Sequence, residues 1–166
     1  MQFKVGDFIV HPVYGVGHLV KIEEKQFSEN GALLYYQFTL PRRTIWIPVE
    51  AQATIGLRLV TPKGDLDYHR DLLRSRPVPL HKDNKQRHLD LVSRLNQGSF
   101  QAMCEVVRDL TAWGRRKPLG QMDMATLKQT QESLYQEWAA ADGVSIAEAI
   151  KEVKSLLQTT QQAFSE

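Results

Sequence analysis

Around residue 62 the apolar spacing of this chain changes from the alternation of strands to the three-to-four-residue rhythm of helices, and that switch limits its fold more than any other feature. Strands followed by helices give an α+β chain rather than an interleaved α/β one. The expected division is 1–61 for a small β domain and 62–166 for an all-α bundle of about five helices.

In the first part Phe3, Val5, Phe8, Ile9 and Val10 begin the β pattern, and Pro12 to Gly17 punctuate it with a proline and two glycines. His18 to Ile22 reads as an alternating, half-buried strand. Asn30-Gly31 signals a type I′ hairpin turn, whose two central residues need positive φ. Leu33 to Leu40 and Thr44 to Val49 supply further strands, separated by Pro41-Arg42-Arg43. Four or five short strands in so small a segment predict a compact, strongly bent barrel; the segment is too short for a sandwich.

In the second part Asp65 is expected to cap a helix from Leu66 to about Ser75, which Pro77-Val78-Pro79 stops. A helix from about Asp83 to Gln97 places His88, Leu91, Val92 and Leu95 on one face. Gly98 ends it and Ser99 caps the next, with its stripe of Phe100, Met103, Cys104, Val107 and Leu110. A fourth helix over about 123–141 turns Leu127, Leu134 and Trp138 inward, and Gly143 supplies its C-cap. Ser145 and Glu148 have capping-box spacing for a last helix to about Ala163.

Composition excludes several classes. With 42% hydrophobic residues and a net charge of +2 in 166 residues, the chain can bury a core and is not intrinsically disordered. A single Cys forms no disulfide within the chain, no apolar run reaches the length of a membrane span, and the N-terminus lacks a signal-peptide apolar stretch. A reducing cytoplasm is the expected setting.

Nothing in the sequence builds an active site. The five histidines show no metal-ligand spacing, and Cys104 lies on an apolar helical stripe where a core role outweighs a nucleophilic one. Gly15-Val16-Gly17 leads into a strand, whereas a dinucleotide fingerprint leads into a helix whose N-terminus receives the pyrophosphate. No catalytic residue, metal or cofactor is expected. Binding remains. Residues 61–120 carry twelve Lys/Arg against seven Asp/Glu, and residues 121–166 carry three against seven. Lys82, Lys85, Arg87 and Arg94 on one helix, with Arg115-Arg116-Lys117 at the end of the next, form a footprint for a phosphate backbone. Favourable placement of cations at a helix C-terminus explains the second group equally well.

Phe3-Lys4-Val5-Gly6-Asp7, His11-Pro12 and Tyr14-Gly15-Val16-Gly17 closely resemble the opening of the CarD/CdnL family of bacterial RNA-polymerase-binding transcription regulators. Ile47-Pro48-Val49-Glu50, Ile55-Gly56-Leu57-Arg58 and Glu105-Val106-Val107-Arg108-Asp109-Leu110 extend the similarity over almost the whole chain. The resemblance implies a Tudor-like β-barrel that docks on the RNA polymerase β-subunit lobe. It also implies a helical domain that contacts promoter DNA beside the transcription bubble and stabilises the open complex without reading sequence. A monomer with no membrane partner is expected.

Carried over by position, the polymerase-facing residues are Lys25, Gln26, Phe27, Trp46 and Ile47, and the DNA-facing ones are Asn84, Lys85, Gln86, Arg87 and His88. Trp46 is expected at the interface, with Ile45 and Ile47 supplying the core. The main departure is Asn84, which stands where the family carries a tryptophan that wedges into the minor groove. An asparagine cannot unstack bases, though it can hydrogen-bond a groove edge. That departure keeps open an alternative, in which the helical domain recruits a protein instead of DNA.

Overall fold

The computed structural model describes residues 3–27, 29 and 31–164, with side chains described through residue 162. It contains two compact units, one ending at Val60 and the other beginning at Thr61. No helix among the described residues is long and apolar enough to cross a membrane.

The first unit is an antiparallel sheet of β1 (Phe8–His11), β2 (Gly15–Lys25), β3 (Leu33–Leu40), β4 (Arg43–Pro48) and β5 (Arg58–Leu59), in the order β4-β3-β2-β1-β5. The α+β class is therefore as the sequence predicts. A closed barrel is not what the pairing describes: β5 is two residues long and pairs with β1, leaving β4 and β5 as edges among the described residues. Between β4 and β5 the chain makes a 3-10 turn (Val49–Ala51) and α1 (Gln52–Ile55), which the sequence analysis leaves unassigned and which Gly56 ends at φ 87°. Asn30 of the expected I′ turn lies outside the described residues; Gly31 has φ 100°.

The β1–β2 turn rests on a side chain. His11 Nδ1 accepts from the amides of Val13 (3.0 Å) and Tyr14 (3.2 Å), and Gly15, at φ 80°, returns the chain into β2. Strict alternation in β2 fails at Val20. Leu19 pairs with Phe38 and Lys21 with Gln37, so Val20 is an extra residue, a bulge. It resets the faces: Leu19 and Ile22 both turn inward, and Val20 and Lys21 are exposed. Phe3, Ile9, Leu19, Tyr36, Phe38, Ile47 and Leu57 form the core of this unit.

The second unit is helical throughout: α2 (Leu66–Arg74), α3 (Asn84–Leu95), α4 (Phe100–Arg116), α5 (Gln121–Asp142) and α6 (Ile146–Phe164). Three caps act as their spacing predicts. Ser99 Oγ accepts from the Ala102 amide at 3.0 Å, Ser145 Oγ accepts from the Glu148 amide at 3.1 Å, and Gly143 ends α5 at φ 69°. Asp65 does not: its side chain makes no capping bond, because it closes a 3-10 turn (Lys63–Asp65) that runs directly into α2. The N-cap of α3 is Asp83, which accepts from the Gln86 amide at 2.9 Å.

The main core joins Leu66 and Leu73 of α2, Phe100, Cys104 and Val107 of α4, Leu134 and Trp138 of α5, and Val153 and Leu157 of α6. Each such leucine, fully buried, contributes about 1.5–3 kcal/mol. A second cluster of Leu91, Val106 and Leu110 seats α3 on α4. Between them runs a polar clamp. The Asp109 carboxylate, fully buried, accepts from Arg94, Arg108 and the Val78 amide at 2.8–2.9 Å, tying α3 and the 75–78 segment to α4.

Candidate functional site

One face of the β2–β3–β4 sheet carries an aromatic cluster with a cation. Alternation along β3 and β4 puts Tyr36, Phe38, Ile45 and Ile47 on the core side and Tyr35, Gln37 and Trp46 on the other. Trp46 is 38% exposed, paired with Gln37 on the edge strand. Phe27, 61% exposed, meets Tyr35 edge-on at 5.0 Å and Trp46 at 6.3 Å between ring centroids.

The Lys25 ammonium lies 4.7 Å from the Trp46 ring centroid and 5.7 Å from that of Phe27. Glu23 holds it from the other side, with its carboxylate 3.4 Å from Lys25 and 2.6 Å from Lys21. The hydrogen bond from Lys21 is the main reason that the Glu23 carboxyl is held below the usual carboxylate range. Three of the five residues singled out for this face, Lys25, Phe27 and Trp46, are thus in mutual contact, and Gln26 beside them is exposed. Ile47 is a correction: its side chain, 5% exposed, belongs to the core, because alternation turns it away from Trp46. Tyr35, which the sequence analysis did not single out, completes the cluster. Its signal was present in the period of two along Leu33–Leu40.

In the helical unit the five singled-out positions separate. Asn84, Lys85 and Gln86 are exposed on the first turn of α3, and Gln86 Nε2 donates to Asp90 at 2.8 Å. His88 is half-buried, and its Nδ1 has no hydrogen-bond partner among the described residues. Arg87 points inward and is 6% exposed. It donates to the buried Asp123 carboxylate through Nε (3.1 Å) and Nη2 (2.8 Å), to the His81 and Lys82 carbonyls through Nη1, and to Asn84 Oδ1 at 2.7 Å. Its guanidinium carbon also lies 5.1 Å from the Trp113 ring centroid. A phosphate cannot reach this group without displacing a buried carboxylate, so Arg87 is a positioning residue and not a contact.

Two further cations are tied to carboxylates, while Arg115, Arg116 and Lys117 stay exposed. Arg94 is held by Asp109, and Arg70 by Asp67, Asp142 and Glu152. Arg115 donates to the Leu157 carbonyl and, with Arg116, lines a recess of about 240 Å³ against Pro77–Pro79 and Thr160. Desolvation lowers the pKa of Arg115. Lys117 sits 5.4 Å from the Trp113 ring centroid. Cys104 is buried, and desolvation pushes its thiol pKa far up, as befits a core residue and not a nucleophile.

Comparison with known proteins places both units. Residues 3–60 match the CarD-like/TRCF RID domain model, and residues 70–154 match the model of the CarD C-terminal domain. A relative in Bacillus subtilis (strain 168), named "Putative transcription factor YdeB", is 28% identical over 145 residues, covering 87% of this chain and 95% of its own length.

Proposed function

The chain belongs to the CarD-like family of transcription regulators, and we propose that it acts without catalysis as a bridge between the RNA polymerase β-subunit lobe and promoter DNA. In this reading the sheet unit, a Tudor-like module left open along β4, docks on the polymerase. The first turn of α3 meets the minor groove beside the transcription bubble and modulates open-complex stability. The protein works as a cytoplasmic monomer and needs no cofactor.

The observation that carries this reading is the Lys25–Phe27–Trp46 cluster, formed by the end of β2, the segment after it and the edge strand β4. An indole with a cation on its face, set among aromatic rings, suits a partner surface that mixes apolar and acidic groups. Beside it the edge strand β4 can extend a partner's sheet.

Binding of the full chain to RNA polymerase and to an isolated β-lobe fragment tests this. Trp46→Ala is expected to weaken binding about thirtyfold, the scale of an interface hot spot. Lys25→Glu is expected to weaken it by at least a comparable factor through charge reversal against an acidic partner. Folded variants that bind as well as the wild type would remove the docking surface.

A second reading keeps the sheet unit on the polymerase and gives the helical unit a protein partner. Leu89, Met122 and Met124, each more than half exposed on α3 and the start of α5, favour it. Binding of duplex DNA that falls as salt rises distinguishes the bridge from this adaptor.

A further inference from the structure

Of the side chains on the first turn of α3, Asn84 is the one whose orientation is fixed by a buried group. Arg87 Nη2 donates to Asn84 Oδ1 at 2.7 Å, and the same guanidinium is anchored by two bonds to Asp123, 4% exposed. A guanidinium has donors only, so the atom of Asn84 facing it must be the amide oxygen. The amide nitrogen, with its two N–H donors, is therefore turned away from Arg87 on an exposed residue. Flipping the amide would set donor against donor beside a buried cation, and Arg87 cannot rotate away without abandoning Asp123.

This matters because the two kinds of base pair differ in the minor groove by one group. A·T and T·A pairs show only acceptors there, whereas G·C pairs add the 2-amino donor of guanine. A fixed donor accepts the first surface and is opposed by the second. We propose that Asn84, held by Arg87 and Asp123, makes this protein prefer A·T over G·C pairs in the minor groove it occupies. The inference rests on the DNA-contacting reading above and adds a specificity that phosphate contacts alone cannot supply.

The test uses the full chain and three duplexes with identical flanks, at low salt. Their central steps are A·T, G·C or inosine·cytosine; inosine is guanine without its 2-amino group. The wild type is expected to bind the A·T duplex about three- to tenfold more tightly than the G·C duplex, the worth of one hydrogen bond made or opposed. Inosine·cytosine is expected to restore A·T-like affinity. Asn84→Asp, which keeps an oxygen for Arg87 and puts a second acceptor where the donors stood, is expected to reverse the preference towards G·C. Asn84→Ala, with neither donor nor acceptor, is expected to abolish the difference between A·T and G·C, and thermal melts check that both variants stay folded.

Equal wild-type affinity for all three duplexes would overturn the inference and leave the DNA-contacting reading standing. A preference that inosine fails to relieve, or that survives in Asn84→Asp, would overturn it as well. No binding to any duplex would overturn both.

Discussion

Replacing Arg87 by methionine would leave the Asp123 carboxylate buried without its guanidinium partner. Removing one member of such a pair costs about 3–5 kcal/mol, which urea unfolding of Arg87→Met is expected to show. Adding Asp123→Leu should recover most of that loss, since an apolar pair of similar volume needs no ion partner. A double variant as unstable as the single one would mean that packing, not charge, is what Arg87 supplies. His11 gives a pH-dependent counterpart. Burial holds its imidazole below the ordinary pKa, and its Nδ1 accepts from two amides, so both effects favour the neutral ring. The folded state therefore binds this proton less readily than the unfolded chain. The stabilisation is complete above the ordinary imidazole pKa and is lost as pH falls through the lowered one. NMR titration should place His11 below an unfolded-peptide histidine, with Val13 and Tyr14 amide exchange accelerating over the same interval. An unshifted His11 would contradict this.

The bulge in β2 decides which residues of that strand reach the surface. Deleting Val20 removes the extra residue but leaves Leu19 opposite Phe38 and Lys21 opposite Gln37, so that variant is expected to fold with its register intact. Deleting Ile22 instead moves Glu23 to the core-facing position opposite Tyr36 and is expected to cost about 3 kcal/mol or more, through a buried charge and a lost core side chain. Thermal melts of the two deletions, similar in size and opposite in consequence, separate the explanations; equal losses would mean that the bulge itself is indispensable. The same strand shows what the sequence conceals. Ser99, Ser145 and Gly143 announce their helix ends because a cap is a local bond between residues at fixed offsets. A bulge is set by the partner strand, and His18 to Ile22 alone reads as uninterrupted alternation. Trp46 was legible as a surface residue from its neighbours Ile45 and Ile47, and the same alternation already turned Ile47 inward, against its carry-over by position to the polymerase-facing set.

Across the whole molecule the charge blocks of the sequence partly cancel in the fold. Arg70 and Arg87 from the basic middle meet Asp142, Glu152 and Asp123 from the acidic end, and Arg94 and Arg108 share Asp109. No periodicity reveals this, since Arg87 and Asp123 are 36 positions apart. Four cations of the basic middle, Arg70, Arg87, Arg94 and Arg108, are thus internal wiring, whereas Lys82, Lys85, Arg115, Arg116 and Lys117 are exposed on or near α3 and the end of α4. If these five make the phosphate contacts, the log–log salt dependence of DNA binding should be no steeper than about −4.5, at roughly 0.9 per phosphate. A slope near −8 would show that the paired arginines are released on binding. The fate of Cys104 has a practical side at this scale. Its sulfur is sealed in the main helical core among Phe100, Val107 and Trp138, so a thiol reagent can reach it only when that core opens. The chain thereby carries its own clock: the rate at which this one sulfur is labelled counts the openings of the helical unit.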